Sequence, residues 1–427
     1  MALSSASKTL SDFLQTQKTQ YLEAVEEGKG GDWVIVTGNE AGDLDSLSSA
    51  IGFAWYLSAI EQTLAVPLVH TPRSDLRLRA ENLYALELAG VETVDPLLCV
   101  DDVPSTASPF PSTKFALVDH NKLHARFRDH NPDARVVSII DHHADEGLYK
   151  DTAKPRIITV RTGSASSLVA HYLEERCPDK IPPELATLLL CTILIDTNGL
   201  KVGGKAEEAD RAATAFLIPR SLLAAEGSDL NITELHNDTK IQELSSALAN
   251  KKGSVSHLNT RELLQRDYKE YTMVPSWEKD KSILAGLASV PVGLKPWIAR
   301  DIAFWSSIEK WMADRKIAVL GILTSFRDEE KVNKHGKPKH KREQLFVVRK
   351  GEIEDLAKKL FKGLEENKEL KLKRKDFKVR FGVKKAERFS SDVDSRVWNQ
   401  KNVDATRKVT APVVRAIIEG DKSKASL

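Results

Sequence analysis

Val136-Val137-Ser138-Ile139-Ile140-Asp141-His142-His143 is the stretch on which the fold turns. A short β-branched run bounded by polar residues reads as a buried strand. In open α/β sheets, chemistry gathers outside the carboxyl ends of such strands. A carboxylate and two imidazoles at that point suit a metal site. Three further apolar segments end in the same way. Val34-Ile35-Val36 leads into Asn39-Glu40-Ala41-Gly42-Asp43-Leu44-Asp45-Ser46, and Phe115-Ala116-Leu117-Val118 leads into Asp119-His120-Asn121. Leu188-Leu189-Leu190-Cys191-Thr192-Ile193-Leu194-Ile195 ends on Asp196. Solvated loops explain this convergence poorly.

Outward from that stretch, strand-like and helix-like segments alternate. Val34–Val36, Ala65–Val69, Phe115–Val118, Val136–Ile140 and Ile157–Val160 read as strands. Ser46–Ile60, Arg79–Ala89, Ala165–Glu175 and Pro183–Leu190 read as helices, the last with room to continue into Ile195. Such alternation predicts an α/β domain whose mainly parallel sheet, of five or more strands, is flanked by helices. At 427 residues the chain exceeds one comfortable core, so two domains are expected. Turn-forming residues between Phe216 and Asp238 place the connection there, giving domains 1–228 and 229–427. The second is expected to be a smaller α/β domain with a mixed sheet. Its strand candidates are Ile317–Thr324 and Leu345–Val348, and its helix candidates are Glu352–Leu364 and Pro412–Ile418.

Composition narrows the class. An apolar fraction of 41% with 29% charged residues is that of a soluble globular protein. Cys99, Cys177 and Cys191 are scattered, which argues against a disulfide framework or a thiolate zinc site and for a reducing compartment. The first 27 residues lack the apolar core of a signal peptide, and Leu10, Phe13, Leu14, Tyr21 and Leu22 space as an amphipathic helix. A cytoplasmic protein without membrane partners is expected. The net charge of +2 conceals about −11 over residues 1–200 and about +13 over the rest. An acidic half suits cations and a basic half suits a polyanion. Lys331–Arg342 and the lysine-rich run from Lys368 to Lys385 carry much of the second charge.

Hard divalent cations take oxygen ligands from several chain segments. Asp43, Asp45, Asp119, His142 and Asp196 would supply a predominantly carboxylate cluster, with Ser46 capping the helix that follows Asp45. Two ions about 3.5–4 Å apart activate a water and stabilise a leaving oxygen, the geometry of phosphoryl hydrolysis. Arg161-Thr162-Gly163-Ser164-Ala165-Ser166-Ser167 lies between a strand and a helix, so its N–H groups could hold a phosphate or simply cap the helix. Asp267-Tyr268-Lys269 and Arg407-Lys408 read as ordinary surface polarity by themselves.

The ordered series Asp-x-Asp, Asp-His-Asn, Asp-His-His and a later lone Asp resembles the DHH phosphoesterase superfamily. The second half resembles the DHH-associated domain, through Asp267-Tyr268-Lys269 and Thr406-Arg407-Lys408-Val409-Thr410-Ala411-Pro412. Asn39 stands where family II pyrophosphatases carry histidine, so the likeness is to the cytosolic, fungal-type exopolyphosphatase branch with its prune relatives. The resemblance implies that Asp43 and Asp119 hold one ion, with Asn39 near it. Asp45, Asp119, His142 and Asp196 would hold a second, and Asp141 would support them. The ions implied are Mg²⁺, with Mn²⁺ or Co²⁺ as alternatives. His143 would assist the departing phosphate beside Asp119 and His142. His120 and Asn121 would form the supporting or substrate-facing shell, Lys269, Arg407 and Lys408 would bind substrate phosphates, and Ser164 and Ser166 are candidate phosphate contacts.

The implied activity is removal of terminal orthophosphate from linear polyphosphate by a monomer. A prune-like hydrolase of short polyphosphates or nucleotides is the nearest alternative. A family II pyrophosphatase follows, then a non-catalytic polyanion-binding protein. Nucleic acid is not an expected partner.

Overall fold

A computed structural model describes residues 9–104, 109–224, 234–332, 338–376 and 389–420. Residues 333–337 and 377–388, within the two lysine-rich stretches, lie outside these. The chain forms two compact units, Met1–Ser254 and Val255–Leu427.

In the first unit, α1 (Leu10–Glu26) precedes β1 (Val34–Thr37), α2 (Leu44–Ala59), β2 (Ala65–Val69), α3 (Ala80–Leu88), β3 (Leu98–Cys99), β4 (Lys114–Val118) and α4 (Ala125–Arg128). There follow β5 (Arg135–Asp141), β6 (Arg156–Ile158), α5 (Ala165–Arg176), α6 (Pro183–Asp196), α7 (Glu208–Leu217) and α8 (Thr239–Gly253). The strands form a six-stranded sheet in the order β3-β2-β1-β4-β5-β6. Each neighbouring pair is parallel. β1 is fully buried along its length, as expected of a β-branched strand covered on both faces. Two apolar clusters hold the helices to the sheet, one containing Val36, Val118 and Ile140 and the other Ile35, Leu117 and Ile139. Alternate residues of the same strands therefore serve opposite cores.

This order reverses direction between β1 and β4, the place where open sheets leave a crevice beyond their carboxyl ends. The loop after β1 carries Asn39 and Asp43, and the turn after β4 carries Asp119. The unit boundary lies beyond the expected 228/229 because α8 packs on α3 and α6. Ile241 and Leu248 of α8 join the first core, and Gln242 Nε2 donates to the Gly199 carbonyl at 2.9 Å.

The second unit contains α9 (Thr260–Arg266), β7 (Tyr268–Met273), β8 (Ile283–Val290), α10 (Leu294–Arg300), α11 (Phe304–Asp314), β9 (Val319–Thr324), β10 (Phe326–Val332) and β11 (Pro338–Arg349). It ends with α12 (Leu356–Glu366), β12 (Leu372–Lys375), β13 (Val393–Gln400) and α13 (Arg407–Glu419). Its sheet runs β12-β13-β11-β9-β8-β7, with β10 paired to β11. The β8–β9 pair is parallel and the others antiparallel, so the sheet is mixed. Phe346, Trp398 and Phe361 anchor α12 and α13 to one face. No described helix is long and apolar enough to cross a membrane.

Candidate metal centre

β1 stops at Thr37, and Gly38 lets the following loop pass against α2: a Cβ there would stand 2.3 Å from that of Ser46. Asp43 caps α2, accepting from Ser46 N at 3.1 Å. The capping role expected of Ser46 is thus taken by Asp43. The Ser46 hydroxyl instead donates to Asp119 Oδ2 at 2.7 Å and accepts from Asn39 N at 3.1 Å.

Asp119 occupies the left-handed region at φ 58°, a conformation that Asp tolerates better than most side chains. Its N–H still bonds to β5 through Ile140 O at 3.0 Å. Its carboxylate is buried, with Oδ1 3.3 Å from His142 Nε2. Asn39 Nδ2 donates to Asp119 Oδ2 at 2.7 Å, while Asn39 Oδ1 accepts from Ala41 N at 2.9 Å. Because Ala41 N–H is only a donor, it fixes this amide orientation. The resemblance implies Asn39 near an ion. In this structure its amide oxygen accepts from backbone and its NH₂ braces Asp119.

His142 Nδ1 lies 3.0 Å from the Thr162 carbonyl, which can only accept, so Nδ1 donates there and Nε2 is the nitrogen turned to the site. Nε2 faces Asp119 Oδ1 and, at 3.8 Å, Asp45 Oδ2. Asp45 Oδ1 accepts from Ser164 Oγ at 2.9 Å and from both Ser166 N and Ser166 Oγ at 2.8 Å. Asp45 Oδ2 accepts from Ala165 N at 2.7 Å. The start of α5 does hold an anion, as read from sequence, but the anion is the protein's own Asp45. Ser164 and Ser166 are fully buried in this role, not turned to substrate.

Asp141 is fully buried. Its Oδ1 accepts from His142 N at 2.8 Å and His143 N at 3.1 Å, and lies 2.8 Å from His143 Nδ1. Asn121 donates to its other oxygen and to Ala144 O. Burial alone would raise the Asp141 pKa, but bonds and charge from His143 and the bond from Asn121 hold it well below the ordinary carboxylate range. Of the supporting and substrate-facing alternatives open for Asn121, its bonds fit the first: it buttresses Asp141. His120 turns Nδ1 to Val118 O at 2.9 Å.

The other carboxylates press on one another. Burial, then Asp43 and Asp45, push Asp119 up to about 7 against the lowering influence of His142. Asp196, at the last turn of α6, is pushed up to about 8 by burial and by Asp45 and Asp43, with Lys252 opposing. Asp119, His142 and His143 each offer a ligand atom, all within 4.8 Å of one another. Buried carboxylates gathered around an imidazole nitrogen match the donor set of a divalent cation. His143 differs from His142, because Asp141 already occupies its Nδ1.

Residues 33–193 match the family model for the DHH family, N-terminal domain, and residues 246–417 match that for the DHHA2 domain. The chain belongs to the DHH family. It is 29% identical over 410 residues to a protein of Schizosaccharomyces pombe named "Putative exopolyphosphatase", covering 91% of this chain and 92% of that one. Human "Exopolyphosphatase PRUNE1" is 28% identical over 242 residues, 55% of this chain and 49% of that one. "Probable manganese-dependent inorganic pyrophosphatase" of Archaeoglobus fulgidus is 28% identical over 170 residues, 38% of this chain and 49% of that one. The match spans about half the length of each of the last two.

In the DHHA2 part, the two motifs that looked bland in isolation meet. Arg407 Nη2 donates to Asp267 Oδ1 at 2.7 Å and Nη1 to Asp267 O at 2.8 Å. This ties the first turn of α13 to the start of β7, which carries Lys269; Lys408 is exposed on α13. Sequence reasoning missed Arg79, Asn82 and Asp210. Arg79 Nη2 donates to Ala41 O, and Asn82 Nδ2 donates to Gly42 O at 3.0 Å. Both hold the loop between Asn39 and Asp43. No local pattern announces them, since their partners are backbone carbonyls distant in sequence.

Proposed function

We propose that this DHH-family chain is a metal-dependent exopolyphosphatase that releases terminal orthophosphate from linear polyphosphate. The observation that carries the chemistry is His142 Nε2 facing Asp119 Oδ1 at 3.3 Å, with Asp45 behind it. The likeness along 91% of the chain to the Schizosaccharomyces pombe protein named "Putative exopolyphosphatase" supports the substrate class. Asp119, His142, Asp45, Asp43 and Asp196 would hold two divalent cations, Mg²⁺ in preference to Mn²⁺ or Co²⁺. Such cations supply a water of lowered pKa and neutralise charge on phosphoryl oxygens.

The chain's own groups do the rest. Asp141 fixes His143 through Nδ1, leaving Nε2 as the nitrogen that would meet the departing phosphate, with Asp141 stabilising the protonated ring. Lys269, Arg407 and Lys408, in the second unit, would bind substrate phosphates. His120 would line the substrate side, whereas Ser164, Ser166 and Asn121 act through Asp45 and Asp141. A monomer working in the cytoplasm fits this reading.

The test is orthophosphate release with Mg²⁺ from long-chain polyphosphate, tripolyphosphate and pyrophosphate under one condition. Asp119→Asn protein controls for contamination. Rapid turnover of the long chain with little on pyrophosphate is the expected result. Activity confined to short substrates would favour the prune-like reading, and pyrophosphate alone the pyrophosphatase reading. Silence on all three would sink the hydrolase.

A further inference from the structure

We infer that Asp210, on α7, is a positioning residue for the metal centre: it locks the loop that orients Asp45 and His142 together. The inference rests on the metal-dependent reading above.

One short segment, Thr162–Ser166, serves two members of the site. The Thr162 carbonyl sets the His142 tautomer from 3.0 Å. Ser164, Ala165 and Ser166 surround the Asp45 carboxylate. A shift of this segment would therefore turn an imidazole and a carboxylate at once. Groups behind metal ligands act this way, by fixing tautomer and orientation.

Asp210 holds the segment in place. Its carboxylate is fully buried. Oδ2 accepts from Gly163 N at 2.8 Å and from Glu207 N at 2.9 Å, and Oδ1 accepts from Ser167 Oγ at 2.6 Å. Gly163 is squeezed against it: a Cβ there would stand 2.8 Å from both Asp210 Oδ2 and Thr197 Cγ2. The loop can neither carry a side chain at that point nor lose the carboxylate without moving. A role confined to the start of α7 would need only the bond from Glu207. Of the other two donors, Gly163 N belongs to the loop and Ser167 Oγ to the first turn of α5, which follows directly.

Calorimetric titration of the full chain with Mn²⁺ tests this without relying on turnover. Asp210→Ala is expected to weaken Mn²⁺ binding by about 10- to 100-fold. Asp210→Asn should stay within about threefold of wild type, because its oxygen keeps both backbone N–H groups and the Ser167 hydroxyl can rotate to accept. Thr214→Val, a buried change on the same helix whose hydroxyl bonds to Asp210 O, should leave affinity unchanged. If Asp210→Ala does not fold, Ser167→Ala removes one link alone and should weaken binding by a smaller factor. Wild-type affinity in both Asp210→Ala and Ser167→Ala overturns the inference, as does an Asn variant as weak as Ala. A wild-type chain that takes up no Mn²⁺ overturns the metal-centre reading and this inference with it.

Discussion

His142 Nδ1 lies 3.0 Å from the carbonyl of Thr162, and this single contact decides which nitrogen the site presents. With Nδ1 directed to that carbonyl, Nε2 faces Asp119 and Asp45, where a divalent cation or a proton on the ring balances the carboxylates.

Asp119→Asn replaces one acceptor with an amide. Its oxygen can keep the bonds from Asn39 and Ser46, and Asn tolerates the left-handed backbone at φ 58°. Its NH₂ would then donate to His142 Nε2 and occupy the lone pair. Orthophosphate release should fall on the order of 10²- to 10³-fold or more. The fold should survive, so thermal unfolding without metal should stay within a few degrees of wild type while Mn²⁺ stabilisation disappears.

The raised carboxyls give a signed pH dependence to the metal-free protein. Asp119 near about 7 and Asp196 near about 8 lie above the ordinary carboxylate value of 3.8. The folded state thus binds protons that the unfolded state has lost, and stability falls as pH rises through this range. Their contribution is fully present below about pH 4 and lost beyond about pH 8. Chelated protein followed by urea unfolding between pH 5.5 and 8.5 should show a falling contribution, abolished in Asp119→Asn/Asp196→Asn. Saturating Mn²⁺ should flatten the slope, since the cation displaces the same protons.

Asn82→Leu separates positioning from folding. It removes the bond to Gly42 O but also a buried Asn82 Oδ1 that has no partner, so the two effects on stability oppose. Unfolding free energy should change by no more than about 1 kcal/mol. Mn²⁺ affinity should nevertheless fall by about tenfold, because the loop carrying Asn39 and Asp43 loses an anchor.

Asn39→His addresses metal choice. An imidazole nitrogen in place of an amide beside Asp119 favours Mn²⁺ or Co²⁺ over Mg²⁺. The ratio of Mn²⁺- to Mg²⁺-supported turnover should rise by about tenfold, equivalent to about 1.4 kcal/mol. An unchanged ratio would show that position 39 acts only by bracing Asp119.

Much of the first unit was legible because its strands are β-branched runs ending in charged residues. β1, β2, β4 and β5 fall where those runs predict. β3, only Leu98–Cys99, is too short to announce itself. In the second unit β7 was read as surface polarity. Tyr268 and Met273 are buried, but Lys269, Glu270, Tyr271 and Thr272 between them are partly or fully exposed. Its partner β8 is more continuously apolar and was also missed. The helix α6 extends to Asp196, so that carboxylate arrives from a helix end, not from a strand end. Asn39, Asn121, Ser164 and Ser166 stand out in the sequence by motif position, and the structure bonds them to Asp119, Asp141 and Asp45. Their partners could not be read, since hydrogen bonding between distant segments leaves no trace in local spacing.

The bonds that orient Asp45 join residues 119 to 121 positions apart in the chain. Contacts of that span close late, after the intervening loops have lost their freedom. During synthesis, a nascent chain that has released β1 through β4 already carries Asp43, Asp45 and Asp119, with Asp119 held by Asn39 and Ser46, but not the segment that aims Asp45. A complete ligand set is therefore expected only after β5 has delivered His142 and the start of α5 has closed on Asp45.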